Sequence, residues 1–415
     1  MKTKILESLS IRKPEIASSF LHGKGRLKLL AMTFLWFVSF CFADTFTNKK
    51  TSEVFHGYLT GVQNAGLSDV NTTEKGLTKI NIADYNITRD RQGRNNSFAL
   101  IEIGELDAGL ETTAFEQTIK KAAAQGPLFI LLEVDSPGGR VDLCKRMCAA
   151  VKDLKCVDVY SYIKGGENGG AYSAAAVISL ACDKIYMSPG TVIGAATMIS
   201  IDPNGKPKDM KSVLGETVGE KMSSAWRNYM ASLASEKNRS PALAIAMENK
   251  DIEVVEVVEG GKHVFIDSVN KKPDAAVLKI WSKKGELLTL TSKDAVECGM
   301  ADKIYTTRQD LLSDHNAVTA AIITDDSMAK ALELNAKIMK RLEKLNASID
   351  LGLKQIDATN SRVKAMKSLQ SIIYDAKFAL SMKKRFGDDV PINEKKVQDF
   401  LNDAQAAYDA MKLGR

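Results

Sequence analysis

From Leu131 to Gly139 the chain reads LLEVDSPGG, an apolar run that ends in an aspartate and a turn with two glycines. A continuous apolar run followed by a turn is typical of a strand inside a parallel sheet. Consecutive glycines after such a strand let backbone N–H groups point into a cleft without side-chain obstruction. Alone, the glycine pair is a weak sign of function, because strand-to-helix turns often carry glycine for geometric reasons.

Strands alternate with helices on both sides of this stretch. Such alternation predicts an α/β fold with a parallel sheet and right-handed crossovers. The periodicity predicts strands at 97–103, 128–134, 157–163 and 184–187 and helices at 111–124, 141–154, 173–181 and 221–236, with a polar loop at 198–220 and β-rich material at 252–292.

The two ends of the chain differ from this central part. Residues 44–96 are polar and only weakly periodic, and we interpret them as an exposed N-terminal extension. Residues 316–415 form a charged C-terminal α-helical region in which Leu342, Ile349, Ile356 and Val363 recur every seven residues. This spacing predicts a long amphipathic helix or an imperfect coiled coil, before a last helix at 393–412. A helical hairpin packed on its own core and a surface for self-association or partner docking both remain open.

Residues 1–43 have the pattern of a targeting segment. Basic residues precede the apolar run at 29–43, which is short for a membrane span and ends in Ala43. We expect a signal peptide cut after Ala43, or an uncleaved signal anchor. In both cases the rest of the chain is exported, to a periplasmic or other extracytoplasmic location, with membrane association through the N-terminus.

Charge and cysteine content exclude some functions. The net charge of +6 is spread along the chain without a basic stripe, which disfavours nucleic-acid binding. Outside the leader the five cysteines include no Cys-x-x-Cys pair, which disfavours a zinc site. We expect buried free thiols, and a single disulfide stays open.

A second glycine-rich turn contains the candidate nucleophile. Residues 169–176 read GGAYSAAA, which places Ser173 where a turn enters a helix, at its positively polarised end. A plain N-cap serine would occupy the same place. What favours catalysis is the conjunction of this serine with Gly138 and Gly139 at successive strand ends, where backbone amides can hold an oxyanion.

A serine hydroxyl needs a base, and the histidines are badly placed to supply one. The four histidines are His22, His56, His263 and His315, so a Ser-His-Asp triad requires His263 or His315 to fold back. A lysine with a pKa lowered by burial is the simpler base. Lys221 is the candidate, because it opens a helix whose apolar face could desolvate an amine, although a solvated first-turn lysine would look the same.

Several further segments carry recognisable motifs: DKIYMSPGTVIGA at 183–195, YMASLA at 229–234 followed by Asn238-Arg239, and SKDAVECGMAD at 292–302. Together with LLEVDSPGG, with Ser173 ten residues before Asp183 and with Lys221, they resemble the Clp-peptidase/crotonase superfamily. The resemblance is strongest to the NfeD-type membrane-bound serine proteases, to which signal peptide peptidase A is related. It covers about half of the chain.

The resemblance implies a layered β-α superhelix core at 97–308 and a Ser-Lys dyad. Ser173 would be the nucleophile and Lys221 the base, and the amides of Gly138, Gly139 and Ala174 would form the oxyanion hole. It also implies peptide hydrolysis through an acyl-enzyme without metal or other cofactor, on substrates with an apolar, membrane-proximal segment. We expect a homo-oligomer.

Three departures from the family pattern bear on this expectation. Ala175 stands where a glycine is often found, the segment between Gly194 and Lys221 is long and polar, and the helices at 316–415 stand where membrane helices often follow. The alternatives are a catalytically inactive scaffold of the same fold that assembles through its C-terminal helices, and a crotonase-like acyl-CoA enzyme. The export signal disfavours the acyl-CoA enzyme, because that coenzyme is cytoplasmic.

Overall fold

The computed structural model describes residues 44–64, 67–72, 74–88, 94–201, 206–351, 353 and 361–413. The expected targeting segment at 1–43 and the heptad residue Ile356 therefore lie outside the described residues. Within those ranges, no helix is both long enough and apolar enough to cross a membrane.

The polar segment near the N-terminus forms an ordered sheet, which corrects the interpretation of 44–96 as an exposed extension. Five antiparallel strands pair in the order β4-β3-β2-β1-β5. Phe46, Phe55, Val70 and Ile80 point inward and join the main core of the protein. The strands are β1 (Asp44–Asn48), β2 (Val54–Asn64), β3 (Leu67–Thr72), β4 (Gly76–Asn81) and β5 (Tyr85–Thr88).

The central layer confirms the predicted α/β fold. Its parallel strands include β7, which is buried along its whole length, as the apolar run at 128–134 predicts. The elements are β6 (Ser97–Ile103), α1 (Gly109–Ala124), β7 (Ile130–Val134), α2 (Val141–Asp153), β8 (Val159–Ile163), β9 (Gly170–Tyr172), α3 (Ala174–Ala181) and β10 (Lys184–Met187).

Short strands form further small sheets beside the central one. β11 (Val192–Gly194) lies parallel to β9, and a small antiparallel sheet with the order β15-β14-β16 follows further along the chain. The remaining elements are β12 (Ile199–Ile201), β13 (Pro207–Asp209), α4 (Met210–Leu214), α5 (Glu216–Glu236), α6 (Pro241–Ala246), β14 (Val254–Glu259), β15 (Lys262–Asp267), β16 (Val277–Ser282), β17 (Thr289–Thr291) and α7 (Ser292–Glu297).

The expected polar loop at 198–220 is largely structured. It contains the hairpin of β12 and β13, the short helix α4 and the first turn of α5. Gly215 has a φ angle of 79°, which lets the chain turn sharply between the two helices. The helix that carries Lys221 therefore begins at Glu216, five residues earlier than expected, and Lys221 lies in its second turn.

The central sheet is completed by two later strands, of which β19 lies beyond the expected domain end at residue 308. The six-stranded order is β18-β10-β8-β7-β6-β19, and β19 pairs in parallel with β6. These last elements are β18 (Lys303–Ile304), α8 (Arg308–Asp314) and β19 (Ala321–Ile323).

The predicted C-terminal helical region is confirmed. Its described residues form the helices α9 (Ser327–Leu351), α10 (Arg362–Phe386) and α11 (Glu394–Lys412). They bury a shared core that includes Ile338, Leu342 and Leu345, and Leu110 of α1 also enters it. Val363 is 63% exposed, so the seven-residue repeat does not describe one continuous buried stripe. The arrangement matches the alternative of helices packed on their own core.

Candidate active site

Ser173 occupies a sharp turn between β9 and α3. Its φ and ψ angles are 51° and −124°, a region that residues other than glycine rarely adopt. Its amide donates to the carbonyl of Gly194 at 3.0 Å. Although Ser173 stands at the N-cap position, its side chain makes no capping hydrogen bond. Ordinary helix capping therefore does not explain the serine, and the strained strand-to-helix turn resembles the setting of an exposed nucleophile.

The glycine pair lies directly against this serine. A β-carbon added to Gly138 would lie 2.6 Å from Cβ of Ser173, and the φ angle of Gly138 is 101°. A β-carbon added to Gly139 would lie 2.5 Å from the carbonyl oxygen of Leu106. Glycine is thus required at both positions by close approach and by backbone conformation. The expectation that the glycine turn and the serine meet at successive strand ends is met in the structure.

The amides of the two glycines have different surroundings. The N–H of Gly138 donates to Oγ of Ser136 at 3.1 Å. The Ser136 hydroxyl in turn donates to the carbonyl of Gly104 at 2.5 Å, and Ser136 is fully buried. Of the three amides named from the sequence as oxyanion donors, that of Gly138 is therefore already engaged, whereas Gly139 and Ala174 carry the other two.

Two neighbouring segments hold the glycine loop in place. On one side, the Leu106 amide donates to the Gly138 carbonyl at 2.9 Å, and the Arg140 amide donates to the Leu106 carbonyl at 3.0 Å. On the other side, Ser136 and Ala171 form an isolated parallel bridge. Neither Ser136 nor Leu106 is predicted from the sequence as part of the site. Only the place of Ser136 between Asp135 and the glycines could have indicated it.

Asp135 explains the glycine-rich turn that precedes Ser173. Its carboxylate accepts hydrogen bonds from the amides of Asn168 and Gly170, at 3.3 and 3.4 Å. A β-carbon added to Gly166 would lie 2.2 Å from that carboxylate, so the turn can close around it only with glycine. Asp135 therefore orders the segment that leads into the serine.

Lys221 is exposed, which differs from the expected desolvating environment. Its helical neighbours Val218 and Met222 are also exposed, at 49% and 42%. The helix itself is well anchored, because Trp226 is buried and its Nε1 donates to the carbonyl of Ala196 at 2.9 Å. Since Ala196 follows the Gly194 that binds the serine amide, α5 is fixed to the same strand segment as the candidate nucleophile.

Lys211 of α4 and the two histidines considered as alternative bases are engaged with other groups. Nζ of Lys211 lies 3.1 Å from the carboxylates of both Glu220 and Glu216. Its hydrogen bonds with these two groups raise its pKa, the opposite of what a general base needs. His263 bonds Glu256 on the surface of the small antiparallel sheet. His315 packs against the rings of Phe129, Tyr160 and Tyr186, so neither histidine folds back to Ser173.

Residues of the later motifs act as ties between elements. Arg239 is 6% exposed and donates to the carbonyl of Cys182 at 3.1 Å and to the carboxylate of Asp302 at 3.3 Å. Asp302 also accepts from the amide of Ile185 at 2.8 Å. Arg239, just after α5, and Asp302, at the end of the motif at 292–302, thus join the end of α3 to β10. They support the site indirectly.

The thiols behind the serine helix are structural. The five cysteines of the described residues are buried and none of them forms a disulfide, in line with the expected buried thiols. Sγ of Cys144 donates to the carbonyl of Ala174 at 3.3 Å and lies 3.9 Å from Sγ of Cys148. The contact with Cys148 and burial raise the pKa of the Cys144 thiol, so it is protonated and unsuited to nucleophilic attack.

Comparison with known proteins supports the resemblance drawn from the motifs. Residues 101–275 match the family described as NfeD1b, N-terminal domain. The membrane protein NfeD1b of Bacillus subtilis is 30% identical over 173 residues, which are 42% of this chain and 30% of that protein. The membrane-bound protease PH1510 of Pyrococcus horikoshii is 30% identical over 140 residues, 33% of this chain and 29% of that protein.

Both matches span about 30% of the length of those relatives. Among solved structures, 1510-N, a membrane-bound stomatin-specific protease in complex with a substrate peptide, is 22% identical with a TM-score of 0.39, over 53% of this chain and 80% of that chain. The predicted resemblance to the NfeD-type proteins is therefore confirmed for the central part of the chain, through the family match.

Proposed function

We propose that this protein is a serine endopeptidase in which Ser173 is the nucleophile. The observation that supports this most is the strained conformation of Ser173, with φ at 51°, directly against a glycine loop that admits no side chain. Strain at a serine is stored where the surrounding structure over-determines it, commonly at functional sites. The homology of this region to a membrane-bound protease points to the same class of reaction.

In the proposed reaction, Ser173 Oγ attacks the peptide carbonyl and forms a tetrahedral intermediate. The amides of Gly139 and Ala174 hold the developing oxyanion, while Gly138 leaves room for the substrate against the serine. The base takes the proton of the Ser173 hydroxyl and passes it to the peptide nitrogen, so the intermediate expels the amine and leaves an acyl-enzyme on Ser173. Water then hydrolyses the acyl-enzyme, which releases the carboxylic acid and restores the serine hydroxyl. This scheme requires neither a metal nor another cofactor.

Lys221 is the proposed base, and its exposure sets a condition on how it acts. As a general base, Lys221 would have to be shielded from water, because desolvation disfavours the charged form of an amine. A substrate with an apolar segment would cover Val218 and Met222 beside Lys221 and remove water from the amine. We therefore propose apolar, membrane-proximal peptide segments as substrates, in an exported and homo-oligomeric protein whose N-terminus associates with the membrane.

The decisive experiment compares purified Ser173→Ala and Lys221→Ala with the wild type on an apolar peptide. Each substitution should lower the rate of cleavage by about 10³-fold or more, while circular dichroism stays unchanged. Lys211→Ala is the matched control, because it removes a nearby lysine that is paired with two carboxylates. Wild-type cleavage by Ser173→Ala would disprove the proposal.

The second candidate is an inactive scaffold of the same fold. The exposure of Lys221 favours it, since a lysine in water does not activate a serine. A fluorophosphonate probe separates the two functions, because it labels an activated serine and not a plain hydroxyl. Absence of labelling with the apolar peptide present, together with oligomers that dissociate when α9 and α10 are altered, would support the scaffold.

A further inference from the structure

The C-terminal helices pack against the first turn of α1. Gly109, the first residue of α1, lies so close to the turn between α10 and α11 that an added β-carbon would come within 2.9 Å of Cα of Asp389. Next to it, Leu110 is buried in the core of the three C-terminal helices. Two consecutive residues of α1 are thus packed into the C-terminal region.

Asp389 makes the polar part of this contact. Its carboxylate accepts from Oγ1 of Thr113 at 2.5 Å and pairs with Arg146 of α2 at 2.8 Å. The Asp389 side chain is only 13% exposed, while that of its neighbour Asp388 is fully exposed and pairs with Lys383 of α10. Of these two adjacent carboxylates, only Asp389 bonds the α/β core.

The same end of α1 leads straight into the glycine loop. Residues 104–108 precede α1, and the Leu106 amide and carbonyl bond the Gly138 carbonyl and the Arg140 amide, at 2.9 and 3.0 Å. The Gly104 carbonyl accepts from Ser136, whose hydroxyl also binds the Gly138 amide. Every one of these bonds holds the loop whose position against Ser173 sets the oxyanion geometry. Within the described residues, one connected set of contacts thus runs from Asp389 through α1 and Leu106 to Gly139.

We propose that Asp389 is a positioning residue, through which the C-terminal helices set the glycine loop in its place beside Ser173. Gly138 and Gly139 have no side chains of their own, so their position depends on Ser136 and on the backbone of residues 104–108, to which the loop is bonded. That backbone ends in a helix turn clamped by Asp389. A displacement of about 1 Å at reacting groups can lower a rate about 100-fold. This inference rests on the proposed hydrolase function for its effect on rate, but the coupling itself is independent of it.

The kinetic test compares full-length Asp389→Ala with Asp388→Ala on an apolar peptide. We expect Asp389→Ala to lower kcat about 10-fold while KM stays within about twofold, because the oxyanion donors shift and substrate contacts remain. Asp389→Asn should fall between, since its amide oxygen still accepts from Thr113. Asp388→Ala should match the wild type. An unchanged kcat in Asp389→Ala, or an equal loss in Asp388→Ala, would overturn the proposal.

Hydrogen exchange tests the coupling without catalysis. In Asp389→Ala the amides of 104–110 and 136–142 should exchange faster, and those of 254–267 should not change. If Asp389→Ala unfolds the C-terminal helices, Thr113→Val serves in its place, because it removes the same contact from the α1 side. It should give the same exchange pattern. If no peptide is cleaved by the wild type, the hydrolase function fails while this measurement still decides the coupling. Unchanged exchange in both segments for both variants would refute it.

Discussion

Gly138 is where a single added methyl group should separate catalysis from folding. Its φ angle of 101° is strained for other residues, and an added β-carbon would lie 2.6 Å from Cβ of Ser173 and 2.9 Å from the Tyr172 carbonyl. We expect Gly138→Ala to lower peptide cleavage at least about 100-fold, because the serine or the loop must move. It should also reduce the free energy of unfolding by about 1–3 kcal/mol. Kinetics and denaturant unfolding measure the two effects.

Gly285 supplies the matched control for that substitution. Its φ angle is 96°, nearly the same as in Gly138, but nothing lies within 4 Å of an added β-carbon. Gly285→Ala should therefore destabilise the protein through backbone strain alone and leave cleavage unchanged. Equal losses of activity in both variants would mean that Gly138 acts only through global stability.

At this scale the sequence predicted residue types better than residue environments. Ser173 and the glycine pair were identifiable because their chemistry depends on local backbone conformation, which glycine and a strand-to-helix turn encode directly. Ser136 and Leu106 were not, because their bonds to Gly104 and Gly138 join segments about 30 residues apart in sequence. The exposure of Lys221 was also missed, because burial is a property of the assembled fold.

Among the elements, prediction succeeded where apolar periodicity is strong. β6 and β10 have the bounds expected from their apolar runs, and α2 differs by one residue. The N-terminal strands were not predicted because they contain few buried apolar residues; in β4, for example, only Ile80 is buried. A strand with few apolar residues shows only a weak apolar–polar alternation, so its sequence pattern is hard to recognise. Such strands are stabilised by pairing with neighbouring strands, and a single sequence does not show that pairing.

The C-terminal helices offer a test of which apolar residues form their core. Leu342 and Val363 belong to the same seven-residue repeat, yet Leu342 is 3% exposed and Val363 is 63% exposed. Leu342→Ala should lower the free energy of unfolding by about 2–5 kcal/mol because it leaves a cavity. Val363→Ala should change it by less than about 0.5 kcal/mol. Similar losses in the two variants would support a continuous coiled-coil stripe, for example in an oligomer that buries Val363.

At the scale of the whole molecule, the parts share buried surfaces that the expected domain limits did not include. β19, from the region after residue 308, completes the central sheet, and Leu110 of the central region completes the core of the C-terminal helices. Changes in composition along the sequence indicate the approximate domain limits. They do not reveal that β19 and Leu110 each complete the sheet or core of the neighbouring region, because contacts between distant segments leave no periodic pattern. The C-terminal helices are consequently part of the structure that surrounds the candidate active site, which is why a substitution at Asp389 is expected to alter catalysis.

The N-terminal sheet is joined to the α/β core by a buried ion pair, and this join is expected to matter for overall stability. Arg94 and Asp44 lie 3.0 Å apart with side chains 6% and 1% exposed, and Arg94 also donates to the carbonyl of Cys156. Arg94→Met leaves the Asp44 carboxylate buried without its cation, so the free energy of unfolding should fall by about 3–5 kcal/mol.

Lys75→Met is the control for this substitution. It removes an ion pair in which Lys75 Nζ lies 2.9 Å from the Glu53 carboxylate, but there the side chains are 61% and 53% exposed. Water and salt screen that pair, so its loss should be close to undetectable by denaturant unfolding. Equal effects of the two substitutions would show that the N-terminal sheet does not depend on Arg94 for its attachment.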